Sequence, residues 1–191
     1  MSANPSLLIA TAFGIALLTS TSLWQLTHQP APAVQLSDGT VHFAQPPSLV
    51  DTVANFRATH TPNTLYYFTL NVPPEAGEPL KQISIVKTQG GSDIYYQLDR
   101  CRAFEGTFYR KGANIPFAEV TLDSDTDTVS FVFDPPIAPG KTVTVGLRSV
   151  RNPNIPGVYL FGITAFPAGE KSQGQFLGFG RIYFNRHRGG A

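Results

Sequence analysis

From residue 66 onward the apolar side chains of this chain recur at every second position, and that period admits strands and excludes amphipathic helices. In "TLYYFTLNV" Tyr66, Phe68, Leu70 and Val72 form one apolar face, while Thr69 and Asn71 occupy the other. In "TVSFVF" Val129, Phe131 and Phe133 alternate with Thr128 and Ser130; in "KTVTVGLR" Val143, Val145 and Leu147 alternate with Thr142, Thr144 and Gly146. Such strands bury one face and wet the other. "QISIVK" and "DIYYQL", joined by Gly90-Gly91, read as two weaker strands.

Composition agrees with a sheet protein. The 191 residues include 17 glycines and 16 prolines, and only 14% are charged, which favours turns over long helices. The length suits one domain with a proper core. Fourteen Lys plus Arg against 13 Asp plus Glu leave a net charge of +1, without the basic excess by which nucleic-acid binders neutralise phosphates.

The first 33 residues contain no Lys, Arg, Asp or Glu, and residues 7–18, "LLIATAFGIALL", are interrupted only by Thr11. The run has signal-peptide length, with small-x-small sites at Ser20-Thr21-Ser22 and Ala31-Pro32-Ala33. Continued to Leu26 it reaches about 20 residues, enough to cross a bilayer as an uncleaved anchor; a buried N-terminal helix is the third reading. Either of the first two attaches or delivers residues 34–191 outside the cytoplasm, in a periplasm, thylakoid lumen or cell envelope. Residues 28–39, "HQPAPAVQLSDG", read as an extended linker because Pro30 and Pro32 bias their neighbours away from helix, and the folded body is expected to start near Val41.

One helix is expected. Ser48 with Asp51 reads as a capping box, and Leu49, Val50, Val53, Ala54 and Phe56 follow at helical spacing, ending before Pro62. Residues 100–115 lack alternation and read as a long loop. Cys101 is the only cysteine, so no intramolecular disulfide forms, and without a CxxC partner it reads as a buried small hydrophobe.

In "PGVYLFGITAFPAGEKSQGQFLGFGRIYF", residues 156–184, Tyr159, Phe161, Ile163 and Ala165 face one way and Val158, Leu160, Gly162 and Thr164 the other. Both faces are largely apolar, as in a strand flanked on both sides, and the polar turn returns the chain as "FLGFGRIYF". The Gly-x-Tyr entry suggests a tyrosine corner, with the Tyr159 phenol bonded back to a neighbouring loop. Together with "YYFTLNVPPEAGEPLKQISI", this stretch resembles a family of exported cyanobacterial proteins catalogued as a domain of unknown function, over about residues 45–184. The resemblance implies a secreted or envelope-associated β-rich domain and supplies no catalytic residues.

Site candidates are few. Asp123, Asp125 and Asp127, with Asp134 beyond, have the alternate spacing of oxygen ligands in a calcium loop; yet Thr128 stands where that loop needs glycine, so a solvated acidic turn competes with the cation site, and no other cofactor is indicated. Gly178 to Arg181, "GFGR", lacks the later glycine of a dinucleotide loop and reads as close-packed strand backbone. Glu75 and Glu170 would need a common cleft to act as a hydrolytic pair. The histidines, at 28, 42, 60 and 187, have no metal spacing. Arg181, Arg186, His187 and Arg188 form a small basic C-terminal group. The adjacent pairs Tyr66-Tyr67 and Tyr95-Tyr96 must send one ring to each face of a strand. Rings turned from the core serve a sugar platform, a protein interface, or packing under residues 100–115.

The sequence therefore predicts a mainly β protein: a single antiparallel, immunoglobulin-like β-sandwich over residues 34–191, with one short helix, behind an apolar export segment or anchor in residues 1–33. The expected role is a non-enzymatic exported envelope module, protein-interaction or structural, that binds a protein or assembles on a membrane surface; the alternatives are a carbohydrate-binding module using Tyr66, Tyr67, Tyr95 and Tyr96, and a hydrolase. Expected partners are an envelope protein or glycan, with no nucleic acid and with membrane attachment through the N-terminal segment.

Overall fold

The computed structural model describes Val34, Gln35 and residues 39–186. The expected export segment or anchor, residues 1–33, lies outside the described residues, as do His187 and Arg188. Among the described residues no helix is long and apolar enough to cross a membrane.

The strands among the described residues, in chain order, are β1 (Val34–Gln35), β2 (Thr40–His42), β3 (Ser48–Ala54), β4 (Leu65–Asn71), β5 (Leu80–Gln89), β6 (Arg102–Thr107), β7 (Arg110–Ile115), β8 (Phe117–Asp123), β9 (Thr128–Ile137), β10 (Thr142–Arg148), β11 (Gly157–Pro167), β12 (Lys171–Ser172) and β13 (Gln175–Phe184). Two five-stranded antiparallel sheets, β3-β4-β10-β6-β7 and β13-β11-β5-β9-β8, face each other, and a small third sheet, β1-β2-β12, closes one end. This is the predicted immunoglobulin-like sandwich. Residues 34–35 of the expected linker pair with β2 instead of running free.

The alternating faces meet between the sheets. Tyr66, Phe68, Leu70 and Val72 from one sheet, and Ile83, Ile85, Val129, Phe131, Phe133, Phe161 and Ile163 from the other, are all but completely buried in one cluster. Phe161 sits at its centre, with ring centroids 5.7 Å from Tyr66 and 5.6 Å from Phe68. As anticipated, β11 is flanked on both sides, by β13 through the 168–174 turn and by β5.

Three sequence expectations change. The expected helix after Ser48 is strand β3, paired with β4 from Ser48 opposite Asn71 to Ala54 opposite Tyr66, with a bulge between Leu49 and Asp51. Leu49, Val53 and Ala54 suit either period, and the pairing decides. Asp51 does not cap Ser48; its Oδ1 accepts the Thr52 backbone N–H at 2.8 Å. The expected loop over residues 100–115 is the β6–β7 hairpin, whose alternation is broken by a bulge between Phe104 and Gly106, where Gly106 has φ +94°. A Cβ there would lie 2.2 Å from the Arg110 carbonyl oxygen, so only glycine permits this bend. "DIYYQL" forms no strand beyond a bridge from Tyr96 to Ser149.

The hairpin curls over the outer side of β4 and β10, which is why the expected wet face there is dry. Thr69 and Thr144 are buried, their hydroxyls 2.9 Å apart, and Thr144 donates onward to the Gly106 carbonyl at 2.7 Å. Tyr67 packs under Phe104 and Phe108, with the Lys111 ammonium 5.6 to 5.7 Å from all three ring centroids. A cation over a ring face adds to such a cluster.

Candidate binding surface

The loops 55–64, 90–97 and 149–156 gather at one end of the sandwich, where Asn152 is the hub. It is buried; its Nδ2 donates to the Phe56 and Ala58 carbonyls at 3.1 and 2.8 Å, and its Oδ1 accepts the Tyr66 hydroxyl at 2.9 Å. Tyr159 laces the same end. Its hydroxyl donates to the Ile155 carbonyl at 2.9 Å, which leaves it to accept from Ser92 at 3.0 Å. This is the predicted tyrosine corner. Gly90 is required beside it, since a Cβ there would lie 2.1 Å from the Tyr159 ring.

Burial pushes the Tyr66 phenol well above the usual tyrosine range; the Ser149 hydrogen bond opposes the rise and the neighbouring Tyr159 adds to it. The folded state therefore holds this proton more tightly than the unfolded chain. Its stabilisation is intact below the unfolded pKa of about 10 and declines as pH rises beyond that value toward the raised folded pKa. Urea midpoints are expected to hold between pH 7 and 9 and to fall steeply above about pH 10, and Tyr66→Phe should flatten that fall.

Of the four proposed tyrosines only Tyr95 is open, at 74% exposure. Tyr66 and Tyr67 are buried, and Tyr96 packs partly buried against the core. They correct the expected platform, because one ring of each pair was bound to enter the interior and the hairpin covers the ring on the other side of β4. Tyr95 rims an open basin of about 620 Å³ formed by the three loops and lined also by His60, Ser92, Asp93, Arg151 and Asn154.

The aspartate turn is also corrected. Asp123 Oδ1 accepts the Asp125 N–H at 2.9 Å and its Oδ2 accepts Thr126 Oγ1 at 2.9 Å, bonds that hold its carboxyl below the usual range. Asp127, at φ +52°, is half-buried and feels Lys87 and Asp93 across the sheet. Its pKa is raised by that burial. Among the described residues no three His, Cys, Asp or Glu side chains are placed to hold a metal ion. Glu75 and Glu170 are both exposed and neither lines the basin. Cys101 is half-buried, donates to the Gln97 carbonyl at 3.6 Å, and has its thiol pKa raised by burial. In "GFGR" only Gly180 is close-packed, since a Cβ there would meet Thr52 Oγ1 at 2.6 Å, whereas Gly178 stands in open space at φ +117° and serves the backbone conformation.

The second surface lies on the outer face of β13, β11 and β5, and sequence reasoning missed it as a surface. Phe179 pairs across Gly162 to Val86, Arg181 lies opposite Leu160, Tyr183 opposite Val158, and Phe176 opposite Thr164. Phe176, Phe179 and Tyr183 are 58%, 55% and 51% exposed, and the Phe176 and Phe179 rings stack edge to face at 5.1 Å. Val86, Val158 and Leu160 fill the ground between, half-buried. Arg181 is exposed between Phe179 and Tyr183, with Arg57 along the same groove. The outer face of an antiparallel sandwich is ordinarily polar, and contiguous exposed apolar side chains mark interaction sites. The signal was the two apolar faces of β11, one of which must look outward in a two-layer fold.

Two packed antiparallel sheets, a tyrosine corner and clustered end loops make this an immunoglobulin-like β-sandwich domain. The chain belongs to the family described as "Protein of unknown function (DUF2808)", which it matches over residues 40–184. A comparison with curated proteins finds no match. Solved structures with similar folds include a collagen-binding domain from a Staphylococcus aureus adhesin, at 10% identity and TM-score 0.40, covering 72% of this chain and 96% of that one. The collagen-binding subdomain ACE19 of the Enterococcus faecalis surface protein ACE is similar at 14% identity and TM-score 0.43, covering 73% and 98%. The C-terminal domain of the Streptococcus agalactiae antigen I/II polypeptide BspA is similar at 14% identity and TM-score 0.43, covering 72% and 48%.

Proposed function

We propose that the domain is a non-enzymatic binding module, carried out of the cytoplasm by its uncharged N-terminal segment, that docks a protein on the outer face of β13, β11 and β5. The observation that carries this reading is the row of three aromatic rings, each more than half exposed, on a sheet face where polar side chains are the rule. Aromatic residues and arginine dominate the energetic centres of protein interfaces. With Arg181 set among the rings and Arg57 beside it, the complementary partner surface is apolar with acidic groups at its edge.

The test is a photo-crosslinking residue placed at Phe179 in the full chain, in the cells that make it, with Glu119 on β8 as the control position. A discrete protein adduct from position 179, absent from position 119 and reduced at least tenfold by Arg181→Glu, is the expected result. Adducts to lipid alone, or equal labelling from both positions, would overturn the assignment.

A further inference from the structure

We propose that the end basin is a second binding site, separate from the aromatic sheet face, and that it takes a sugar ring bearing a carboxylate, a uronic acid unit of a polysaccharide. The basin is built before any ligand arrives. Backbone bonds cross-tie its loops: His60 N–H to the Pro153 carbonyl at 3.2 Å, Asn152 N–H to Thr61 at 2.8 Å, Asn63 N–H to Val150 at 3.0 Å, and Val150 N–H to Tyr95 at 2.8 Å. Beneath them, Asn152 and the Tyr159 corner fix the loop bases from the buried side. Two non-glycine residues of the first loop, His60 and Asn63, are held at φ +62° and +55°. Such conformations persist only where the surroundings over-determine them, and they concentrate at binding sites.

The chemistry of the lining narrows the ligand. A volume of about 620 Å³ falls in the range of small-molecule sites. Tyr95 offers an exposed ring face at the rim, the amphipathic surface on which the C–H face of a pyranose lies. Asp93, Ser92 and Asn154 supply acceptors and donors for hydroxyl groups. The Lys87 ammonium lies 3.5 Å from Asp93 and also faces Asp127. The exposed Arg151 guanidinium is in no salt bridge among the described residues, and its planar fork suits a carboxylate bidentately. His60 adds a further donor beside it. A neutral sugar would leave that fork unused.

Titration calorimetry on the full chain, with trigalacturonate as the probe and maltotriose as its uncharged counterpart, tests the assignment. Trigalacturonate should bind at least tenfold more tightly than maltotriose. Arg151→Ala and Tyr95→Ala should each weaken it at least tenfold, while Tyr95→Phe keeps the ring and most of the affinity. These exposed substitutions should leave the melting midpoint unchanged, which separates a lost contact from a lost fold. Phe179→Ser should leave trigalacturonate binding intact, so failure of the docking face and failure of the basin are told apart. Equal binding of the two sugars, no binding of either, an Arg151→Ala protein that binds as well as the parent, or binding only of a peptide through its terminal carboxylate would overturn the proposal.

Discussion

Phe161→Ala is expected to cost about 3–5 kcal/mol and to lower the melting midpoint by roughly 6–20 °C for a domain of this size. Phe161 is fully buried and contacts rings from the opposite sheet, Tyr66 and Phe68. Truncation thus opens a void at the layer interface, where neither sheet can move in without breaking its own pairing. Lost ring contacts add to lost burial. Differential scanning calorimetry measures the effect. Phe161→Leu, which keeps most of the volume, should fall well short of it, and a midpoint within 2 °C of the parent for the alanine variant would show that the sheets are not packed through this ring.

Asn152→Ala should be as damaging, about 3–4 kcal/mol, although it removes only a few atoms. It strands the Phe56 carbonyl and takes the Tyr66 hydroxyl's acceptor away, while the Ala58 carbonyl keeps its bond from Thr61 Oγ1 at 2.8 Å; each buried group left unpaired costs about 1–3 kcal/mol. Because Tyr66 and Asn152 are partners, a double-mutant cycle with Tyr66→Phe should give a coupling of about 1 kcal/mol or more. Asn152→Asp keeps an acceptor toward Tyr66 but turns its second carboxylate oxygen onto the Phe56 and Ala58 carbonyls in a buried site, so near neutral pH it should be at least as destabilising as the alanine variant. Urea unfolding of the five proteins checks this. Additive losses would mean that the two side chains act independently.

The strands with clean alternation, β4, β9, β10 and β11, were legible because burial between two layers imposes the period directly on the side chains. β3 was not, since Leu49, Val53 and Ala54 satisfy both periods and its pairing with β4 is a long-range choice. β6 and β7 were hidden by Gly106 and the bulge that lets the hairpin curl back. The end of the fold was half legible. Gly-x-Tyr announced the corner at Tyr159, but Asn152 meets Tyr66 across 86 residues, a distance at which spacing carries no information. The aromatic outer face was masked for another reason: two apolar faces on β11 are equally what a flanked strand and a docking strand require, and only the two-layer architecture shows which face has no layer above it.

Gly180 of β13 lies against Thr52 of β3, where a Cβ would come within 2.6 Å of the Thr52 hydroxyl oxygen. Alanine at 180 would have to push these two strands apart, so the separation of the layers along this margin is set by the absence of one methyl group.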